Sequence, residues 1–94
     1  MLEQKYLEQI KNIIKKYSLN KERFFVFGSS VKDNKFADID LGFIDGEIGE
    51  NKLRQLEDEL EDSLLPYKFD VVDFNKVDKE FRDKNLKDKI IWLT

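Results

Sequence analysis

The chain has 94 residues and a formal net charge of −3, from 17 basic and 20 acidic side chains. It contains no cysteine and no histidine, which excludes disulfides, thiolate or imidazole metal ligands and a histidine general base. The small acidic excess argues against binding to nucleic acid through phosphate neutralisation. Any bound metal should therefore be a hard cation held by carboxylate oxygens.

The length and the lack of a linker-like segment predict a single domain over residues 1–94. An apolar content of 40% is typical of a folded chain. No run approaches the roughly 20 apolar residues of a membrane span, and the first residues lack the apolar core of a signal peptide. We therefore expect a cytoplasmic protein that is not bound to a membrane.

The first half of the chain predicts a helix followed by two strands. Apolar residues at helical spacing indicate an amphipathic helix over residues 2–17. The sequence "RFFVF" at 23–27 is aromatic and β-branched, which is typical of a buried strand. A glycine-serine-serine turn at 28–30 ends this strand, and a polar loop is expected to continue to about Phe36. The sequence "DIDLGFI" at 38–44 predicts the second strand.

The second half of the chain predicts a helix, a strand and a short helix, followed by a segment at 89–93 that fits two structures. Leucines at three- and four-residue intervals predict a helix over 49–64, and a following proline prevents its continuation. "YKFDVVDF" at 67–74 predicts a third strand. Asn75 or Asp78 is a candidate cap for a short helix that should end near Leu86. Residues 89–93 fit the end of that helix or an edge strand, and their β-branched and aromatic content favours the strand.

The predicted order is α-β-β-α-β-α-(β), with the last strand in parentheses because of that ambiguity. This order indicates an α+β fold with a small mixed β-sheet of three or four strands and helices packed on it, which we expect on one face.

Three carboxylates are the strongest functional signal. Asp38 and Asp40 should point to the same face of their strand. Two such charges repel and raise each other's pKa unless a cation lies between them. Asp70 lies on what should be a neighbouring strand and can join the cluster. Three carboxylates from two strands predict a site for Mg²⁺ and a nucleotide, with two ions in the arrangement used for phosphoryl transfer.

The turn after the first strand is a candidate phosphate-binding segment. Gly28 allows the backbone to approach a phosphate closely, and Ser29 can add amide and hydroxyl donors. Ser30 belongs to the same turn, and Lys32 in the loop supplies positive charge. We assign Gly28, Ser29, Ser30 and Lys32 to nucleotide binding.

Each of these features also has a purely structural interpretation. A glycine-serine turn can be a plain chain reversal, an Asp-x-Asp pair can be a solvated strand face, and Asp70 can pair with Lys68. Asp73 should face away from Asp70 and is interpreted as solvated, as is the acidic helix face at 57–62. The functional interpretation therefore depends on the ordered conjunction of the motifs.

That conjunction resembles the minimal nucleotidyltransferases of the DNA polymerase β superfamily. The matching pieces are "FGS" at 27–29, "DID" at 38–40 and "FDVV" at 69–72. The resemblance implies a nucleotidyltransferase fold and transfer of a nucleoside monophosphate, usually AMP from ATP, with Mg²⁺ and release of pyrophosphate. It also implies that Asp38, Asp40 and Asp70 are the metal-binding and catalytic carboxylates, with Asp70 activating the acceptor hydroxyl.

The resemblance further implies a role as an antitoxin. Many such proteins are encoded beside a small helical HEPN-domain protein, often a ribonuclease, and silence it by adenylylating a tyrosine. This chain departs from the family pattern in its loop, which is shorter than usual and has Ser30 where an arginine is common. The altered loop keeps two alternatives open: a weakly active or inactive module that neutralises its partner by occlusion, and a nucleotide-binding subunit of a two-chain transferase. A homo- or hetero-oligomer is compatible with all of these.

Overall fold

The computed structural model describes residues 2–17, 22–33 and 35–93. Its elements follow the predicted order with one addition, and the predicted α+β class is confirmed. In chain order they are α1 (Gln4–Lys15), β1 (Arg23–Phe27), α2 (Ser29–Lys32), β2 (Asp38–Ile44), α3 (Glu50–Asp62), β3 (Lys68–Asp73), α4 (Lys79–Lys87) and β4 (Ile91–Trp92).

The additional element is α2, a single helical turn where the sequence predicted the start of a polar loop. Val31 is fully buried and anchors the turn in the main core. Backbone bonds close the turn, since the Val31 N–H donates to the Gly28 carbonyl at 3.1 Å and the Asp33 N–H donates to the Ser29 carbonyl at 2.8 Å. The loop prediction was wrong here because one apolar side chain gives no visible periodicity.

The four strands form one mixed sheet in the order β3-β2-β1-β4. Strand β1 runs antiparallel to β2 and to β4, whereas β2 and β3 are parallel and are connected through α3. The ambiguity at 89–93 is settled in favour of the strand, because Ile91 and Trp92 pair with Val26 and Phe25. Strand β4 is therefore one edge of the sheet, and β3 is the other.

Both faces of the sheet carry large apolar side chains, and helices pack on both. The main core lies on the face covered by α1 and α3, and its fully buried members include Ile10, Ile14, Phe24, Val26, Ile39, Leu41, Phe43, Leu56 and Leu60. Phe25, Phe27 and Phe74 form a second cluster, against which Leu86 of α4 packs. The expectation of helices on one face was wrong because β1 carries large apolar side chains at both alternating positions, and both faces need a cover.

Hydrogen bonds tie together the turns that follow β2 and β3. The Asn75 side-chain amide donates to the Gly46 carbonyl at 2.9 Å, and its oxygen accepts from the Asp45 N–H at 3.2 Å. The helix cap is Asp78, which accepts from the Phe81 N–H at 2.8 Å. Asp73 was predicted to be solvated, but its side chain is only 15% exposed and accepts from the Asn75 N–H at 2.9 Å.

The described residues contain no helix with the length and apolar character needed to cross a membrane.

Candidate active site

Asp40 and Asp70 lie side by side on two neighbouring strands, with Asp70 on the edge strand of the sheet. They are direct register partners on the parallel strands β2 and β3. Partners on neighbouring strands share a face, and neighbouring strands are about 4.8 Å apart. The structure therefore brings together two of the three predicted carboxylates without any contribution from a loop.

The opposite face of β2 fixes this arrangement. Ile39 and Leu41 flank Asp40 in sequence and are both fully buried in the main core. Because side chains alternate along a strand, burying these two residues forces Asp40 onto the other face. A one-residue slip of the strand would exchange the two sets, so the apolar residues determine where the carboxylate points.

Burial raises the pKa of the Asp40 carboxyl above its ordinary value, and the negative charges of Asp70 and then Asp38 raise it further. Burial acts because it removes water from the charged form, and the two neighbours act by like-charge repulsion. A cation between the carboxylates would relieve both effects. The site therefore favours a bound positive charge before any ligand is considered.

Gly28 forms the third side of the site. It follows β1 directly and has φ 80° and ψ −153°, a conformation that is essentially restricted to glycine. A Cβ atom built at this position would lie 2.5 Å from Oδ2 of Asp40. Glycine is therefore required twice, for the backbone conformation and for the close approach of the chain to the carboxylate.

The three residues open into a cavity of about 500 Å³, within the size range of small-molecule sites. Four consecutive residues of β3, Phe69 to Val72, line the cavity together with Gly28 and Asp40. Glu57 of α3 and the pair Phe81 and Asn85 of α4 complete the lining with Phe27. The cavity thus lies at the β3 edge, between α3 and α4.

Over residues 8–93 the sequence matches the family model described as "Polymerase beta, Nucleotidyltransferase". The chain belongs to this nucleotidyltransferase family. The match includes all four strands and every carboxylate discussed above, so the resemblance to the DNA polymerase β superfamily is confirmed. No curated protein matches the sequence.

The third predicted carboxylate of this nucleotidyltransferase stands apart from the pair. Asp38 is the first residue of β2, is exposed, and has Lys68 as its register partner instead of an acid. It is near enough to raise the pKa of Asp40, but it does not line the cavity. Lys68, which could have partnered Asp70, is aligned with Asp38.

The predicted phosphate-binding residues other than Gly28 lie outside the cavity. Ser29 is exposed at the start of α2. The Ser30 side chain is 1% exposed, and its hydroxyl is the one buried side-chain polar atom in the described part of the chain without a hydrogen-bond partner. Lys32 forms an ion pair with Asp88, which lowers the pKa of that carboxyl through its hydrogen bond. The nucleotide-binding roles of Ser29, Ser30 and Lys32 remain predictions.

Three residues that line the cavity were not predicted from the sequence. Phe81 and Asn85 are four residues apart on α4 and share one face of that helix, and the Asn85 amide donates to the Phe81 carbonyl at 2.8 Å. Glu57 belongs to the acidic run that was interpreted as solvated, and it is exposed but faces the cavity. No local pattern distinguishes these residues, because their role depends on where α3 and α4 pack.

The chemistry of the donor set fits Mg²⁺. This ion is commonly held by one or two protein carboxylates, with phosphate and water oxygens completing its shell, and Asp40 and Asp70 provide two adjacent carboxylates. Within residues 2–17, 22–33 and 35–93 no group of three or more acidic, histidine or cysteine side chains is arranged to hold a metal. Asp38 lies two residues before Asp40, at the exposed start of β2. The roles of Asp38, Asp40 and Asp70 as metal ligands stay predictions.

Proposed function

We propose that this nucleotidyltransferase transfers AMP from ATP to a hydroxyl group of a partner protein, with Mg²⁺ as cofactor. The observation that carries the proposal is the Asp40–Asp70 pair, which is in register across two strands and opens into a cavity of about 500 Å³ that Gly28 also lines. Membership of the family supports nucleotidyl transfer in general. The identity of the nucleotide and of the acceptor is part of the proposal.

In the proposed reaction the acceptor oxygen attacks the α-phosphorus of ATP. The bond from that phosphorus to the oxygen bridging the α- and β-phosphates breaks, pyrophosphate leaves, and the hydroxyl proton passes to Asp70. Asp70 suits this role because it is the more exposed member of the pair and can meet an incoming hydroxyl. Asp40 would hold the cation, and Mg²⁺ bound there would supply charge neutralisation at the phosphates.

Gly28 contributes to the site because it has no side chain. Without a Cβ, the turn after β1 leaves open the space beside the Asp40 carboxylate, so phosphate oxygens and a cation can approach the backbone closely. The same absence keeps Asp40 in its present orientation. Gly28 is therefore a positioning residue for Asp40 as well as a candidate phosphate contact.

We further propose that the partner is a HEPN-type helical toxin encoded nearby and that the modification makes this chain an antitoxin. The nucleotidyltransferase domain occupies residues 8–93, and none of the described elements forms a separate lobe for an acceptor. A partner protein would then supply the acceptor side of the site. The cavity supports this arrangement because it lies at a sheet edge instead of inside the fold.

The test is transfer of label from α-labelled ATP to the partner in the presence of Mg²⁺, with the partner's mass as a second readout. Asp40→Asn and Asp70→Asn should each abolish transfer. Asp62→Asn, a change of the same chemistry at an exposed position at the end of α3, should leave it unchanged. A partner that binds tightly but is never labelled would overturn the proposal.

A second candidate function is neutralisation of the partner by occlusion, without catalysis. The positions of Ser30 and Lys32 after β1 favour it. Ser30 is buried, Lys32 is paired with Asp88, and neither residue lines the cavity. Under occlusion, the Asp40→Asn and Asp70→Asn variants would still protect cells from the toxin in a co-expression assay. If instead the chain binds Mg²⁺ and ATP but labels a partner only with a third protein present, it is the nucleotide-binding subunit of a larger transferase.

A further inference from the structure

The outer edge of β3 is open. Strand β3 is the last strand of the sheet, and across residues 2–17, 22–33 and 35–93 no strand pairs with its outer side. The Lys68 N–H donates to the Ala37 carbonyl at 3.3 Å and the Phe74 N–H to the Phe43 carbonyl at 2.9 Å. In a parallel pair the bonding residues alternate, so even-numbered residues of β3 face β2. The amide and carbonyl groups of Phe69 and Val71 therefore point outwards.

The cavity of the active site runs along this open edge. Its lining includes Phe69, Asp70, Val71 and Val72 in unbroken succession. Successive side chains of a strand point to opposite faces, so a cavity that touches four in a row must follow the edge itself. Glu57 of α3 lines it from one side of the sheet and Phe81 of α4 from the other.

We propose that the acceptor is an extended segment of the partner protein that adds to the outer edge of β3 as a fifth strand. The segment would run antiparallel to β3 and carry a hydroxyl side chain opposite Asp70. This mode of binding uses main-chain hydrogen bonds for affinity and alternate side chains for specificity. It rests on the proposed function for the fate of the hydroxyl, but the docking can be measured without any transfer.

The register follows from the direction of the backbone groups. The backbone N–H and carbonyl groups of Asp70 face β2. A guest residue opposite Asp70 would therefore form a non-hydrogen-bonded pair with it, with the two Cα atoms about 4.5 Å apart. Paired residues share a face, which places the guest hydroxyl on the face that carries Asp40 and Asp70. The two flanking guest residues would instead exchange hydrogen bonds with Phe69 and Val71.

Charge identifies the kind of segment. Three acidic side chains, Asp40, Glu57 and Asp70, line the cavity, and no lysine or arginine in the described ranges does so. The flanking guest side chains point to the face on which α3 packs, where Glu57 lies. The occupant should thus have a basic residue on each side of the hydroxyl residue.

A second copy of this chain is a poorer occupant of the edge. Antiparallel pairing of two β3 strands centred on Asp70 would place the two Asp70 carboxylates directly opposite each other. Like charges in directly opposed positions destabilise a strand pair. The acidic character that favours a basic peptide therefore opposes self-association at this edge.

The test uses the full chain with Mg²⁺, a non-hydrolysable ATP analogue and a fluorescein-labelled peptide, acetyl-Val-Lys-Tyr-Arg-Val-amide. The affinities of two N-methylated versions of this peptide are compared. N-methylation of the lysine and the arginine removes the N–H groups that should face β3, and binding measured by anisotropy should weaken by roughly 5- to 150-fold, as expected for two lost hydrogen bonds. N-methylation of the tyrosine alters an N–H that faces away, and binding should be unchanged.

Equal affinities of the two methylated peptides would overturn the proposal. So would a dimer in sedimentation that the parent peptide does not dissociate, because that result would assign the edge to a second copy of the chain. Replacing the ATP analogue with ATP separates the two proposals. Peptide binding with the methylation contrast but without AMP transfer leaves the docking mode standing and counts against the proposed function. AMP transfer to the peptide without the methylation contrast would support the proposed function and count against the docking mode.

Discussion

Replacing Gly28 by alanine is the most direct test of the site geometry. Alanine at φ 80° and ψ −153° occupies a region that side chains avoid, which costs of order 1–3 kcal/mol. The new Cβ would also lie 2.5 Å from Oδ2 of Asp40, whereas ordinary contact begins at 3.4 Å. The two effects have different consequences, so the substitution should show two separable losses.

The backbone strain should appear as lost stability. For a domain of this size each kcal/mol lowers the Tm by about 4–8 °C, so Gly28→Ala should melt between about 4 and 24 °C below the parent. The domain should still fold, since typical domains are stable by about 5–15 kcal/mol. Circular dichroism during heating gives the measurement.

The steric conflict should appear as lost function. The carboxylate is the far end of a movable side chain, so Asp40 can rotate, but its oxygen has to retreat by roughly 1 Å, a misplacement that can lower a rate about 100-fold. Transfer of AMP and the calorimetric affinity for Mg²⁺ with ATP should therefore fall far more than the stability loss explains. In an Asp40→Ala background the conflict is absent, and Gly28→Ala should then cost only the backbone strain.

Two results would refute this reasoning. Unchanged melting of Gly28→Ala would show that the turn does not require a glycine conformation. A fully active Gly28→Ala variant that melts early would show that the orientation of Asp40 does not matter for the chemistry.

Two further predictions concern the sheet. Because burial and then Asp70 raise the pKa of Asp40, its charged form costs stability at neutral pH. Asp40→Asn without Mg²⁺ should therefore raise the free energy of unfolding at neutral pH, and the gain should vanish as acid protonates the parent carboxyl. A denaturant series from pH 8 to 4 that shows no gain, or a gain that grows in acid, contradicts this. Gly42→Ala would place a Cβ 2.5 Å from the Phe25 ring and should cost at least about 1–3 kcal/mol by overpacking, whereas Gly49→Ala meets nothing within 4 Å and should melt within a few degrees of the parent.

The strands could be predicted from the sequence because their signals are local. Residues 23–27 and 38–44 were predicted with the bounds that the structure shows, since each is a short apolar run between polar or glycine-containing turns. The one-turn helix α2 could not be predicted, because it depends on the burial of Val31 in a core assembled from distant elements. The covering of the second face depends in the same way on where Leu86 packs.

The candidate site was predictable only in part for a similar reason. Alternation along β2 and the position of Asp70 on the next strand were enough to bring Asp40 and Asp70 together. The alternation of side chains does not predict the parallel register of β2 and β3. That register aligns Asp38 with Lys68, and Asp38 does not line the cavity. Phe81 carries no motif, and its position on the wall follows from the packing of α4 against Phe74, with the two ring centroids 5.6 Å apart.

The two edges of the sheet are built differently, and the difference yields a last prediction. Strand β4 has only two residues, so this edge is short, which is one of the ways in which folded proteins limit unwanted strand pairing. Strand β3 has six residues and exposes its outer groups beside the Asp40–Asp70 pair. An open edge invites unwanted strand pairing, so its presence at Asp70 is explained if a substrate segment uses it.

Hydrogen exchange can detect this open edge in the free chain. The Asp70 and Val72 amides face β2 and should exchange slowly, whereas the Phe69 and Val71 amides face outwards and should exchange at nearly the rate of an open chain. Adding the basic tyrosine peptide should slow exchange at Phe69 and Val71 alone. Uniform protection along β3 in the free chain would mean that the edge is already covered, and the site would then have to receive its acceptor from the α4 side.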